Sequence, residues 1–163
     1  SRNLIHYQEH PEMMAEAITD RTLIAINEGG FDFILVNYAN AYIISHTGDF
    51  EATLEAVKIV DQQIEKIVKS TLDNNHTLII TADHGNAEAL VNLRTGSAET
   101  KHNLNPVPFY IVARQFQKAN QNSIITNLTP IGLLSDVAPT ILELMDIPKP
   151  QTMTGQSLID QLT

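Results

Sequence analysis

The chain has 163 residues, enough for about one domain with a substantial core, and its 43% hydrophobic and 18% charged content is ordinary for a globular protein. A formal charge of −9, with only ten basic residues, argues against binding a nucleic-acid backbone, which needs clustered Lys and Arg. No run of eighteen apolar residues suggests a membrane span, and the absence of cysteine removes disulfides, thiolate metal sites and cysteine nucleophiles together.

That cysteine-free composition fits a reducing cytoplasm, and no signal-peptide pattern is visible at the start. The chain opens on Ser1-Arg2-Asn3 without Met, which fits a processed, tagged or truncated product. Pro11 can open a helix, since its missing N–H falls among donors that go unpaired anyway. Met14, Ala17, Ile18, Ile24 and Ala25 then follow at helical spacing, and Gly29-Gly30 provide the stop. Phe31 to Val36 is an apolar run with the length and composition of a buried strand, leading into the polar loop Asn37-Tyr38-Ala39-Asn40.

A long amphipathic helix is predicted from about Asp49 to about Leu72, its apolar face formed by Phe50, Leu54, Val57, Val60, Ile64, Ile67 and Val68. Asp49 and Glu51 complement the dipole of its first turn. After the turn Asp73-Asn74-Asn75-His76, strands are predicted over Thr77–Ala82 and Pro106–Ala113, with Pro108 suggesting an edge or a strand start. Residues 120–129 read as a loop. Ser135 is a plausible N-cap for a helix carrying Val137, Ala138, Ile141, Leu142 and Met145, ended by Pro148 and Pro150.

Strands with few polar residues, alternating with amphipathic helices, imply an α/β fold. The expectation is three layers, with a mainly parallel sheet between helices on both faces. Ligands then gather at the carboxyl ends of the strands, where Asn37–His46 and Asp83–Glu88 lie. Asp83 and His84 offer an oxygen and an imidazole nitrogen together, a donor pair suited to Mn, Zn or Fe rather than Mg or Ca. His46, in Ser45-His46-Thr47-Gly48, and His102, ahead of Asn105-Pro106-Val107-Pro108, could join them around one or two transition metals. Solvent-exposed loop histidines, and a loop hydrogen bond for Asp83-His84, account for the same residues. Lys101 could meet a phosphate but reads as a solvated lysine, and Arg94 reads as a turn residue rather than an anion site. His6, His10 and His76 carry no signal. No G-x-S-x-G, Walker loop or G-x-G-x-x-G is present.

These residues resemble the C-terminal part of the phosphatase-type domain of cofactor-independent phosphoglycerate mutase, a member of the alkaline phosphatase superfamily. Tyr7 to Met13 is similar to its Y-x-x-x-P-E-M segment. Val36-Asn37-Tyr38-Ala39-Asn40 with His46-Thr47-Gly48 resembles N-[YF]-A-N-x-D-x-x-G-H-[TS]-G. Ile80–Glu88 resembles I-T-A-D-H-G-N-A-[DE], and His102–Pro108 resembles H-x-x-N-P-V-P. Asp136-Val137-Ala138-Pro139-Thr140 and Met153–Ile159 are similar to the closing segments.

The resemblance implies an isomerase of glycolysis that interconverts 3- and 2-phosphoglycerate through two Mn ions and a phosphoserine. Asp83 and His84 would ligate the metal that activates the serine, and His46 and His102 the other. The family's aspartate ligand is Tyr42 here, and the glycine before the histidine is Ser45, which leaves the second metal with two ligands from this chain. The nucleophile motif N-S-E-x-G-H, the N-terminal metal-binding aspartate and the inserted substrate-gripping domain do not occur in these residues, so no catalytic residue is assigned. Residues 1–163 are therefore expected to be a segment of the metal-binding domain, inactive alone, with the N-terminal part of the same enzyme as partner. A non-catalytic metal-binding or partner-binding paralogue, or a related phosphopentomutase or phosphatase, is the alternative.

Overall fold

The computed structural model describes residues 6–92, 94–116 and 129–162. They fall into two compact units, one within residues 1–117 and the other within 118–163.

In the first unit, a 3-10 turn at Tyr7–Glu9 precedes helix α1, Ala15–Glu28. The helix begins four residues after Pro11, because Met13 adopts a positive φ of 44° that a helix cannot contain. Gly29 ends it, as expected. A short helix, α2 (Asn40–Ser45), starts at the last residue of the segment read as a loop. The buried Asn40 side chain anchors it, donating to the carbonyls of Pro11 and Glu12 at 2.8 and 2.9 Å. Helix α3 spans Phe50–Asp73, with the Asp49 carboxylate accepting from Ala52 N–H as an N-cap.

The face of α3 that packs is not the most apolar one. Thr53, Ala56, Gln63, Ile67 and Thr71 are buried, whereas Phe50, Leu54 and Val57 are exposed. Ile67 belongs to both stripes, while Thr53 and Ala56 are offset from Leu54 and Val57 by one residue, or ~100° of helical rotation. Small side chains win the contact because α1 presents Ala15, Thr19, Thr22 and Ile26, which allow close approach. Ile44 of α2, Met13 and Ala56 form a small core beneath Tyr7, Ile43 and Ala52.

Strands β1 (Leu78–Thr81) and β2 (Phe109–Val112) pair antiparallel, Leu78 opposite Val112 and Thr81 opposite Phe109. A parallel arrangement was expected. Between the strands the described residues carry a 3-10 turn, Ala87–Ala89, and fold back through antiparallel bridges Gly85–Asn103 and Val91–Ala98, in place of the helix that usually crosses over between parallel strands. Phe31–Val36 also departs from expectation. Among the described residues no backbone hydrogen bond or ladder joins it, and Phe31, Phe33 and Leu35 are 66%, 53% and 83% exposed. Tyr38 just beyond it is tied to α1, its hydroxyl 2.6 Å from that of Thr19, and burial raises its pKa.

In the second unit, a 3-10 turn at Leu134–Asp136 runs into α4, Val137–Leu144. Ser135 is not its cap. Instead the buried Asp136 carboxylate accepts from the N–H groups of Leu133 and Gln156, at 2.7 and 2.8 Å, and so ties the turn to the closing segment. A last short helix, α5, covers Ile159–Leu162. The predicted loop over 120–129 lies, except for Thr129, outside the described residues.

Candidate metal centre

Three separate segments of the first unit bring their histidines together. His46 caps the C-terminal end of α2, one helical turn after Tyr42, so their rings meet edge-to-face at 4.7 Å between centroids. Gly48, two residues on, turns the chain at φ 75°, a conformation glycine adopts without strain. His84 follows the carboxyl end of β1, and His102 stands beside it on the returning strand of the excursion. Their rings stack at 3.8 Å with 18° between planes. His46 and His102 are 5.4 Å apart by centroid, and Tyr42 lies 5.7 Å from His84 and 5.5 Å from His102. Tyr42 therefore stands among all three imidazoles.

The joints between these segments are specific. The fully buried Ser45 hydroxyl reaches the Tyr42 carbonyl at 2.8 Å and also the Asn86 side-chain oxygen, linking α2 to the loop after β1. Asn86 Nδ2 is the one buried side-chain polar atom left without a partner among the described residues. The Asn103 N–H donates to the Gly85 carbonyl at 3.0 Å, joining that loop to the His102 segment. A Cβ at Gly85 would meet Asn103 Oδ1 and Glu88 Oε1, so a larger residue there would have to displace those two side chains. Ser45, Asn86, Glu88 and Asn103 carry no metal-ligand signal in the sequence. Their positions inside the motifs were the only hint of a role.

In the Asp83-His84 pair, Asp83 Oδ1 lies 3.6 Å from His84 Nε2, with the Asp83 side chain 89% exposed. Two ligands of one tetrahedral ion bound at ~2.0–2.2 Å stand about 3.3–3.6 Å apart, so the spacing suits a shared cation. His84 Nδ1 is 3.3 Å from the Gly85 carbonyl, which favours the Nδ1–H tautomer and leaves the Nε2 lone pair facing Asp83. Among the described residues no three His, Asp or Glu side chains form a group able to hold one ion. Asp83 and His84 thus stand as one close pair, whereas His46 and His102, the other expected pair, lie 5.4 Å apart between ring centroids and the closest imidazole contact is that of His84 with His102. The mixed oxygen and nitrogen donors fit a borderline divalent metal, but the set is incomplete within this chain.

The other candidates stand apart from this cluster. Arg94 lies in the Asn92–Gly96 turn, its N–H donating to Asn92 Oδ1 at 3.0 Å, and Lys101 is exposed. His10 pairs with Glu12 at 3.1 Å, and His76 is an exposed turn residue.

Residues 1–149 match the family model described as Metalloenzyme superfamily. The chain belongs to the metalloenzyme superfamily. As a member, it is 43% identical over 155 residues to the 2,3-bisphosphoglycerate-independent phosphoglycerate mutase of Clostridioides difficile, covering 95% of this chain and 29% of that protein. It is 44% identical over 159 residues to phosphoglycerate mutase 2 of Methanosarcina barkeri, covering 98% of this chain and 29% of that one. The fold matches a crystal structure of Leishmania mexicana phosphoglycerate mutase at low cobalt concentration, with a TM-score of 0.78 and 26% identity over 94% of this chain and 30% of that one. The metalloenzyme chain thus spans about three-tenths of the length of these relatives. The likeness bears out the α/β, alkaline-phosphatase-like class of a partial domain, although the strands paired here run antiparallel.

Proposed function

We propose that this chain is the metal-ligand-bearing segment of a 2,3-bisphosphoglycerate-independent phosphoglycerate mutase. The supporting observation is the convergence of His46, His84 and His102 from three segments, beside Asp83. In this reading Asp83 and His84 hold one divalent cation, and His46 and His102 the other, with manganese as the ion. Such a cation pair, when bound, neutralises phosphoryl oxygens and lowers the pKa of a hydroxyl nucleophile. This chain's own part is to orient the ligands: Gly85 O fixes the tautomer of His84, and the Ser45–Asn86 and Gly85–Asn103 joints hold the segments in place.

The serine to be activated and the groups that grip phosphoglycerate belong to the part of the enzyme these 163 residues do not contain. The partner is accordingly that N-terminal part, and the cysteine-free composition supports a cytoplasmic setting. The direct test is co-expression with the remaining part of the Clostridioides difficile relative. Mutase activity is expected to appear, to require Mn, and to disappear with Asp83→Ala, while the chain alone shows none. A stable complex without activity would overturn the reading. It would favour the second one, a non-catalytic metal-binding paralogue, whose specific support is Tyr42 standing where a ligand carboxylate is expected.

A further inference from the structure

Glu88 lies on the 3-10 turn that follows the Asp83-His84 loop, and its carboxylate collects three donors. Oε2 accepts from Asn86 N–H at 2.8 Å. Oε1 accepts from Asn103 Nδ2 at 2.7 Å and from Asn105 Nδ2 at 2.8 Å. Asn103 Oδ1 in turn accepts from Asn105 N–H at 2.8 Å, which closes the turn after His102. One side chain therefore grips both segments that carry the stacked histidines, two residues beyond His84 on one side and one residue beyond His102 on the other. Both of its oxygens are occupied by N–H donors, so Glu88 is not a spare metal ligand for the Asp83 pair.

We propose that Glu88 is a positioning residue, whose carboxylate latches residues 103–105 onto residues 85–88 and thereby sets the spacing of the His84 and His102 rings. A carboxylate suits the place because all three partners donate. A Gln amide would turn its own NH2 toward one of them, and Asp is a methylene too short to reach both segments from the same backbone position. The backbone bridge Gly85–Asn103 does not hold the Asn105 side chain, and apart from Glu88 the Asn103 side chain is held, among the described residues, only by the Asn105 N–H. The carboxylate ties both amides to the turn that follows His84. The ring geometry needs no metal, whereas any effect on metal affinity rests on the function proposed above.

The test separates these two levels. In the full chain without metal, NMR should show mutual ring-current shifts and cross-relaxation between the His84 and His102 ring protons. Glu88→Ala should abolish both and leave the amide shifts of α1 and α3 unchanged, whereas Glu88→Gln should retain part of the contact. Asn103→Ala should reproduce the loss, and the double variant should be no worse than either single one, as expected of a shared interaction. Survival of the ring contact in Glu88→Ala would overturn the latch. So would loss of signal dispersion throughout α1 and α3, because Glu88 would then be a general stability residue. Titration with Co2+, followed by its visible absorption, should show affinity falling about ten- to a hundred-fold in Glu88→Ala, with partial rescue in Glu88→Gln. If the unsubstituted chain binds no Co2+, the metal reading fails while the NMR result still decides the latch.

Discussion

Tyr42 stands among three imidazoles, at the position that the resemblance to the mutase motif assigns to an aspartate. Its phenol is an aromatic wall against His46 and is 43% exposed, whereas a carboxylate would be an anionic ligand aimed at the same space. Tyr42→Asp should therefore raise Mn affinity by at least about tenfold, equivalent to ~1.4 kcal/mol, in a titration followed by the electron spin resonance of free Mn. Unchanged affinity would mean that His46 and His102 do not form a metal half-site. Ser45, the other departure from the motif, has a clear structural use. It is fully buried and tied to Asn86, which a glycine could not be. Tyr42 and Ser45 thus sit three residues apart on the same short helix.

At the scale of elements, joints between segments matter more than the helices and strands themselves. The buried Asp136 illustrates this in the second unit. Hydrogen bonds from Leu133 and then Gln156, opposed by burial and assisted by Lys149, hold its carboxyl below the usual carboxylate range. A depressed folded-state pKa means that the unfolded chain binds the proton more readily. The stabilising contribution is therefore complete above pH ~4 and is lost as pH falls from there through the folded value. Comparing urea midpoints of the chain and Asp136→Asn should show a gap at pH 7 that narrows steadily below pH 4. A gap independent of pH would exclude ionised Asp136 as the tie. Helix α3 teaches a related lesson, since the N-terminal part of its apolar stripe is exposed while Thr53, Ala56 and Gln63 pack together with Ile67. The hydrophobic pattern located the helix correctly but not the face that α1 selects.

Across the whole molecule, the least settled piece is Phe31–Val36. Its composition is that of a buried strand, yet both rims lack ladder bonds among the described residues and its aromatic side chains face solvent. Amide exchange over residues 31–36 should accordingly be fast in the 163-residue chain, against slow exchange for Leu78–Thr81 and Phe109–Val112. Strong protection of 31–36 in a monomer would contradict this arrangement. The long helix α3, both paired strands and helix α4 were legible in the amino-acid sequence. Periodicity, caps and motif spacing are local properties that nearby residues impose on themselves. Strand direction, the packing face of α3, the helix at Asn40–Ser45 and the stacking of His84 on His102 were decided only by tertiary structure. Each depends on which distant segment arrives alongside, and contacts such as Asn40 with Pro11, Ser45 with Asn86 and Glu88 with Asn103 are made across gaps that no local pattern records.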